Sequence, residues 1–218
     1  MARRFDLLVF DWDGTLLDST AAIVCAVQAA CRDLSLPEPS SNHAKQAIGL
    51  GLAEALRHSA PDLEEAHLPL FMGRYKHHYL SLCNELSLFD GAKELVEELF
   101  VSGFTLAVAT GKSRGGLERA LEQSGMRHFF AATRCADECF SKPHPQMLEE
   151  LMEELSASAE RTLMIGDTTH DLQMAVNAGA SGLAVAYGAH SSSVLDALDP
   201  LARLNTVGEL SRWLRSNA

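Results

Sequence analysis

Two aspartates flank Trp12 in the stretch Asp11-Trp12-Asp13-Gly14-Thr15, directly after the apolar run Leu7-Leu8-Val9-Phe10. Side chains at i and i+2 of an extended segment share a face, roughly 6 to 7 Å apart. Two carboxylates so placed raise one another's pKa unless a cation or a proton lies between them. A buried strand that ends this way therefore calls for compensating charge elsewhere in the chain. Three later stretches carry polar groups of the needed kinds: Thr110-Gly111-Lys112-Ser113, Lys142 within Ser141-Lys142-Pro143, and Gly166-Asp167 with Asp171 four residues beyond. Singly, each is a modest signal, since an Asp at a strand end is commonly a turn or cap residue, a reading that accounts for Asp18. Their order, each tied to an apolar run, is the informative feature.

Short apolar runs at 5–11, 104–110, 129–133, 162–167 and 182–188 read as strands buried on both faces. Helical patterns at 91–102, 113–124, 145–156 and 169–178 alternate with them, and an amphipathic piece at 207–215 reads as a terminal helix. This alternation predicts an α/β fold, a doubly wound parallel sheet with helices on both faces. In such sheets ligands bind beyond the carboxyl ends of the strands, where the acids, the threonine and the Lys142 loop collect.

The interval from 19 to about 86 breaks the rhythm, with helical patterns at 21–34, 41–58 and 64–83 and prolines at 37, 39, 61 and 69. It predicts a small helical insertion, 19–86, hinged near 17–20 and 87–91, on a core made of 1–18 and 87–218. Asp18, Ser19 or Thr20 is available to cap its first helix. Ile48-Gly49-Leu50-Gly51 falls between its helices, where glycines let backbone approach a ligand.

The chain has 218 residues, 47% hydrophobic and 22% charged, with a formal net charge of −11. That length allows one domain with a small insertion. The acidic balance argues against nucleic acid as a partner and requires a local positive site or a metal ion to attract an anionic substrate. The apolar run near the amino terminus is too short for a signal peptide or a bilayer span. Cysteines 25, 31, 83, 135 and 139 are odd in number, and the Cys135–Cys139 pair has no second pair to complete a zinc set. A cytoplasmic protein without membrane contact is expected.

The ordered set D-x-D-G-T, T-G-K-S, K-P and G-D-x3-D resembles the haloacid dehalogenase (HAD) superfamily of aspartyl phosphotransferases over essentially the whole chain. The stretches 48–56, 109–117, 142–148 and 166–179 are similar to phosphoglycolate phosphatase-like members, which carry a helical cap after the first strand. The resemblance implies a HAD-like, Rossmann-like core and Mg²⁺-dependent hydrolysis of a small phosphorylated metabolite, with phosphoglycolate as the family-based substrate. Asp11 would be the nucleophile that forms an aspartyl phosphate, and Asp13 the general acid and base. Mg²⁺ would be held by Asp11, Asp167 and, by the family pattern, the backbone carbonyl of Asp13. Thr110 would donate to the phosphoryl group, as would the backbone N–H groups of Gly111 and Lys112. Lys142 would neutralise charge on nucleophile and phosphate. Asp171 would orient Lys142 or a metal-bound water, and Thr15 would bond back to the acids or the turn.

Four ionised carboxylates against Mg²⁺ and Lys142 leave a charge of about −1, which favours a retained proton on Asp13. A receiver-like signalling module also gathers acids, a Thr and a Lys on a parallel sheet, but lacks D-x-D and a helical insertion. A dehalogenase proper lacks the second Asp. A phosphomutase or a pyrophosphatase on the same core stays open, as does monomer or homodimer. His77, His78, His144 and His170 read as surface or half-packed residues. The side chains of Lys112 and Arg114 are open between added positive potential and solvent, and Trp12 is expected to pack against the core.

Overall fold

The computed structural model describes residues 3–83 and 86–218. Residues 1–2, in the amino-terminal run, and 84–85, within the expected insertion, lie outside the described residues. The apolar runs form β1 (Leu7–Phe10), β2 (Thr105–Thr110), β3 (Ala132–Cys135), β4 (Thr162–Gly166), β5 (Ser181–Val185) and the short β6 (Arg203–Leu204). They make one parallel sheet in the order β3-β2-β1-β4-β5-β6. The chain works outward from β1 to β3, then returns to the other side of β1 with β4. That reversal opens a crevice between β1 and β4 at their carboxyl ends. Phe10 is in register with Val108 on one side and Ile165 on the other, so the residues that follow these strands emerge side by side.

Between β1 and the next core helix run α1 (Thr20–Asp33), α2 (Ser41–Gln46), α3 (Leu52–Ser59) and α4 (Leu68–Leu82). Val27, Ala30, Leu56 and Phe71 form a separate apolar cluster that holds α1, α3 and α4 together, while Ala44 of α2 packs on Val24 of α1. Ile48 to Gly51 lies between α2 and α3, as the glycines predict.

Alternation along β1 sends its side chains to two different layers. Leu8 and Phe10 pack with α5 (Ala92–Val101), α6 (Arg114–Ser124) and the terminal helix at 207–217. Leu7 and Val9 face α7 (Gln146–Glu154) and α8 (Thr169–Asn177). Trp12 is fully buried in the first layer, edge-on to Phe130 at 6.3 Å between centroids, which meets the packing expectation. Among the described residues its indole N–H has no acceptor, and nothing in the structure explains this.

The sheet differs from the sequence reading at its margins. β3 starts at Ala132, not at 129, because Arg127–Phe129 form a 3-10 turn whose Phe129 is buried in the core. β6 and the short α9 (Ser192–Asp196) were not expected, and α10 (Val207–Asn217) extends the predicted terminal helix. No helix among the described residues is long and apolar enough to cross a membrane.

Candidate active site

Asp11, Asp167, Asp171 and Lys142 converge in the β1–β4 crevice, each no more than 1% exposed. The Lys142 ammonium donates to Asp11 Oδ1 at 2.8 Å and to Asp171 Oδ1 at 2.6 Å. Asp171 is fixed by the start of α8. Its other oxygen accepts from the Thr168 N–H at 3.1 Å and the Thr168 hydroxyl at 2.6 Å, closing a capping box. Asp167 accepts from the Thr15 hydroxyl at 2.9 Å and the Ala189 N–H at 2.7 Å. Thr15 thus bonds to an acid, but to the one delivered by β4. Gly14 permits this approach: its φ is +81°, and a Cβ there would lie 2.2 Å from Asp167 Oδ2.

Burial dominates the electrostatics. Removal from water pushes the Asp11 carboxyl up to about 7, despite the pull of Lys142. Asp167 is raised for the same reason, then by the charges of Asp11 and Asp171. Burial acts against the Lys142 ammonium, but Asp11 and Asp171 outweigh it and hold its pKa above the ordinary lysine value. Among the described residues, Asp11 Oδ2 is buried without a hydrogen-bond partner. One carboxylate oxygen each from Asp11, Asp167 and Asp171 lies within 4.8 Å of the others. An orphaned carboxylate oxygen inside an all-oxygen donor set fits a hard divalent cation.

Asp13 takes a different environment. Its carboxylate is absent from that cluster and accepts from the Ser19 hydroxyl at 2.6 Å and from Lys112 Nζ at 2.9 Å on each oxygen. Lys112 also donates to the Tyr79 hydroxyl of α4 at 2.8 Å. Lys112 is thus a second cation beside the acids, in addition to Lys142. The Lys112 backbone N–H, expected to meet an anion, donates instead to Thr110 Oγ1 at 3.2 Å. Thr110 is fully buried, and its own hydroxyl hydrogen remains to be donated.

The segment between α2 and α3 lies over this floor. A Cβ at Gly111 would fall 2.4 Å from the Leu50 carbonyl oxygen, so only glycine fits beneath the 48–51 backbone. The Gly51 N–H donates to the Ser141 hydroxyl at 2.8 Å, and His170 Nε2 lies 2.9 Å from the Gln46 carbonyl. Between insertion and floor is a cavity of about 510 Å³ lined by Asp11, Asp13, Thr110, Gly111 and Tyr75, among others.

Sequence reasoning missed Ser19, Tyr79 and His190. Ser19 precedes α1 and was a candidate cap, yet its hydroxyl goes to Asp13 and makes no cap bond. His190 lies behind the acids: its N–H donates to the Asp167 carbonyl at 3.3 Å, and its Nδ1 accepts from the Thr169 N–H at 3.0 Å. Burial, then His170, holds its pKa below the usual histidine value. His144 is exposed, His78 pairs with Asp33 at 2.8 Å, and Arg114 is tied to Glu138. Cys135 and Cys139 are free thiols, pushed up by burial to about 12 and about 11.

Residues 8–185 match the family model described as haloacid dehalogenase-like hydrolase. The chain is 36% identical over 210 residues to the probable phosphatase IndB of Dickeya dadantii strain 3937, covering 94% of this chain and 91% of that protein. It is 32% identical to a phosphoglycolate phosphatase of Vibrio parahaemolyticus, covering 94% and 93% of the two chains. A crystal structure described as a predicted phosphoglycolate phosphatase from Haemophilus somnus 129pt superposes with a TM-score of 0.86 at 26% identity, covering 97% of this chain and 99% of that one.

Proposed function

The chain belongs to the haloacid dehalogenase-like hydrolases, and from that membership we propose that it hydrolyses a small-metabolite phosphomonoester through an aspartyl-phosphate intermediate. The observation that carries this reading is the buried Asp11, its Oδ2 unpartnered among the described residues and its Oδ1 held by Lys142, on the floor of the cavity. Asp11 attacks phosphorus, the bond to the leaving oxygen breaks, and that oxygen takes a proton from Asp13. Asp13 then removes a proton from water, which attacks the aspartyl phosphate, releasing phosphate and restoring Asp11. Lys142 and Thr110 stabilise charge on the transferring group, and Gly111 gives the phosphate close access to backbone. Ser19 and Lys112 orient Asp13, while Asp171 orients Lys142.

Asp11 and Asp167, with Asp171 or the Asp13 carbonyl, would hold Mg²⁺, which supplies charge neutralisation and in-line orientation of the phosphoryl group. Residues 19–86 serve as a cap that excludes bulk water from the site. The finer readings of cytoplasmic location and phosphoglycolate as substrate belong to the same proposal, the latter resting on the relatives' names.

Phosphate release from a panel of phosphate esters, with and without Mg²⁺, tests it. Asp11→Asn is expected to abolish release and to leave no phosphorylated protein detectable by mass; retained turnover would sink the nucleophile assignment. Transfer to a sugar hydroxyl without release of phosphate would instead mark a mutase.

A further inference from the structure

A second cavity, of about 450 Å³, lies beside the catalytic one, between α4 of the insertion and α6 of the core. Leu52, Tyr75, Lys76, Lys112 and Ser113 line both, so the two are contiguous. Their junction is the place where Lys112 bridges Asp13 and Tyr79. Because Asp13 protonates the leaving oxygen, a leaving group departs on the side of the site where this second chamber begins.

The chamber is built to hold something. The rings of Tyr75 and Tyr79 stack on one wall, 5.8 Å apart and inclined by 17°. Leu80 and Leu88 add apolar surface. The opposite wall is the start of α6, where Gly115 and Gly116 stand together, an unfavourable pairing inside a helix. A Cβ at Gly115 would meet no atom within 4 Å, so the space opened by that glycine is not filled by the protein itself. Lys76 from α4 and Arg119 from α6 line the same chamber, and neither has an ion-pair partner among the described residues. In a chain of net charge −11, two exposed cations at one apolar chamber, without an ion-pair partner among the described residues, are complementary to an anion.

We infer that the chamber between α4 and α6 is the leaving-group subsite, and that it selects phosphate monoesters whose alcohol carries a flat apolar body and a distal anionic group. The body lies against Tyr75 and Tyr79, and the anion between Lys76 and Arg119. A two-carbon glycolate group has no flat apolar body to lay against the tyrosines, so phosphoglycolate can be turned over without filling the chamber and serves as the reference ester. The inference rests on the phosphatase reading above.

Phosphate release is measured from 4-carboxyphenyl phosphate, phenyl phosphate and phosphoglycolate, with the intact chain and saturating Mg²⁺. Gly115→Phe fills the chamber from an open position, and it is expected to lower kcat/KM for the two aryl esters about tenfold relative to phosphoglycolate. Lys76→Gln with Arg119→Gln is expected to raise KM for 4-carboxyphenyl phosphate about tenfold at constant kcat, while phenyl phosphate shifts by less than about twofold. Equal losses on all three esters in Gly115→Phe, or no change in any ratio, overturn the subsite. Calorimetric binding of 4-hydroxybenzoate, the alcohol product, needs no turnover and separates the two readings. If no ester is hydrolysed but 4-hydroxybenzoate binds and Gly115→Phe removes the binding, the phosphatase reading falls and the subsite stands. Turnover with unaltered ratios and no such binding leaves the phosphatase reading and removes the subsite.

Discussion

Three hydrogen bonds converge on the Asp13 carboxylate, one from Ser19 at 2.6 Å and two from Lys112 at 2.9 Å. Ser19 is well placed to separate catalysis from stability. Its hydroxyl makes no capping bond to α1, so Ser19→Ala removes a contact to Asp13 without uncapping a helix. A hydrogen bond to a charged group is worth about 1.5–3 kcal/mol, so kcat is expected to fall roughly tenfold to a hundredfold if the bond orients Asp13 for proton transfer. The melting temperature is expected to move by only a few degrees. A variant with full kcat would mean that Asp13 is oriented by Lys112 alone. Ser19 and Tyr79 were illegible as site residues because Ser19 stands between Asp18 and Thr20 as an ordinary cap candidate and Tyr79 ends the polar run 74–79 of a helix. Asp11, Asp13, Lys142 and Asp167 were legible because each follows or accompanies an apolar run in a fixed order. The Lys112 side chain fell between: its motif was visible, but its partner is 99 residues away and only the fold reveals it.

At the scale of elements, β1, β2, β4 and β5 were readable because strands buried on both faces are continuous apolar runs. β6 has two residues and α9 has five, too few for a period to show. The 129–133 run failed differently. Its two phenylalanines are apolar because they pack in the core layer beside Trp12, not because they pair in the sheet. The 48–51 segment was readable as glycine-rich, but its seat on Gly111 was not, since no local pattern encodes a contact between two loops. That seat is testable. Gly111→Ala puts a methyl 2.4 Å from the Leu50 carbonyl oxygen, so the segment between α2 and α3 must shift outward. The expected result is a loss of kcat/KM of at least tenfold, with a destabilisation of roughly 1–3 kcal/mol in denaturant unfolding. Unchanged kinetics would show that this segment closes over the floor without a role in turnover.

For the whole molecule, the acids at the centre of the sheet link folding to pH and to metal. The folded-state pKa of Asp11 is raised from 3.8 to about 7 by burial, so between those values the folded chain keeps a proton that the unfolded chain has lost. Stability then falls as pH rises through that window, since fewer protons are bound in the unfolded state than in the native one. Asp167, raised for the same reason, acts in the same direction. His58 and His190 oppose it: burial lowers both, so their contribution is present at high pH and lost as pH falls through the ordinary histidine range. The net slope therefore mixes signs, and the informative quantity is the difference between wild type and Asp11→Asn, which cannot ionise at that position. In chelator, the variant's melting temperature is expected to rise relative to wild type between about pH 5 and about pH 8. A cation bound only by the folded chain adds about 2.7 kcal/mol at a hundred times its dissociation constant. Mg²⁺ is thus expected to raise the wild-type melting temperature, most strongly near pH 8, where Asp11 gives up its proton and its unpartnered Oδ2 is free to take the cation. Differential scanning fluorimetry across pH, with and without Mg²⁺, reads both effects. A wild-type curve that parallels Asp11→Asn in chelator would show that the crevice holds Asp11 without the electrostatic cost its burial implies.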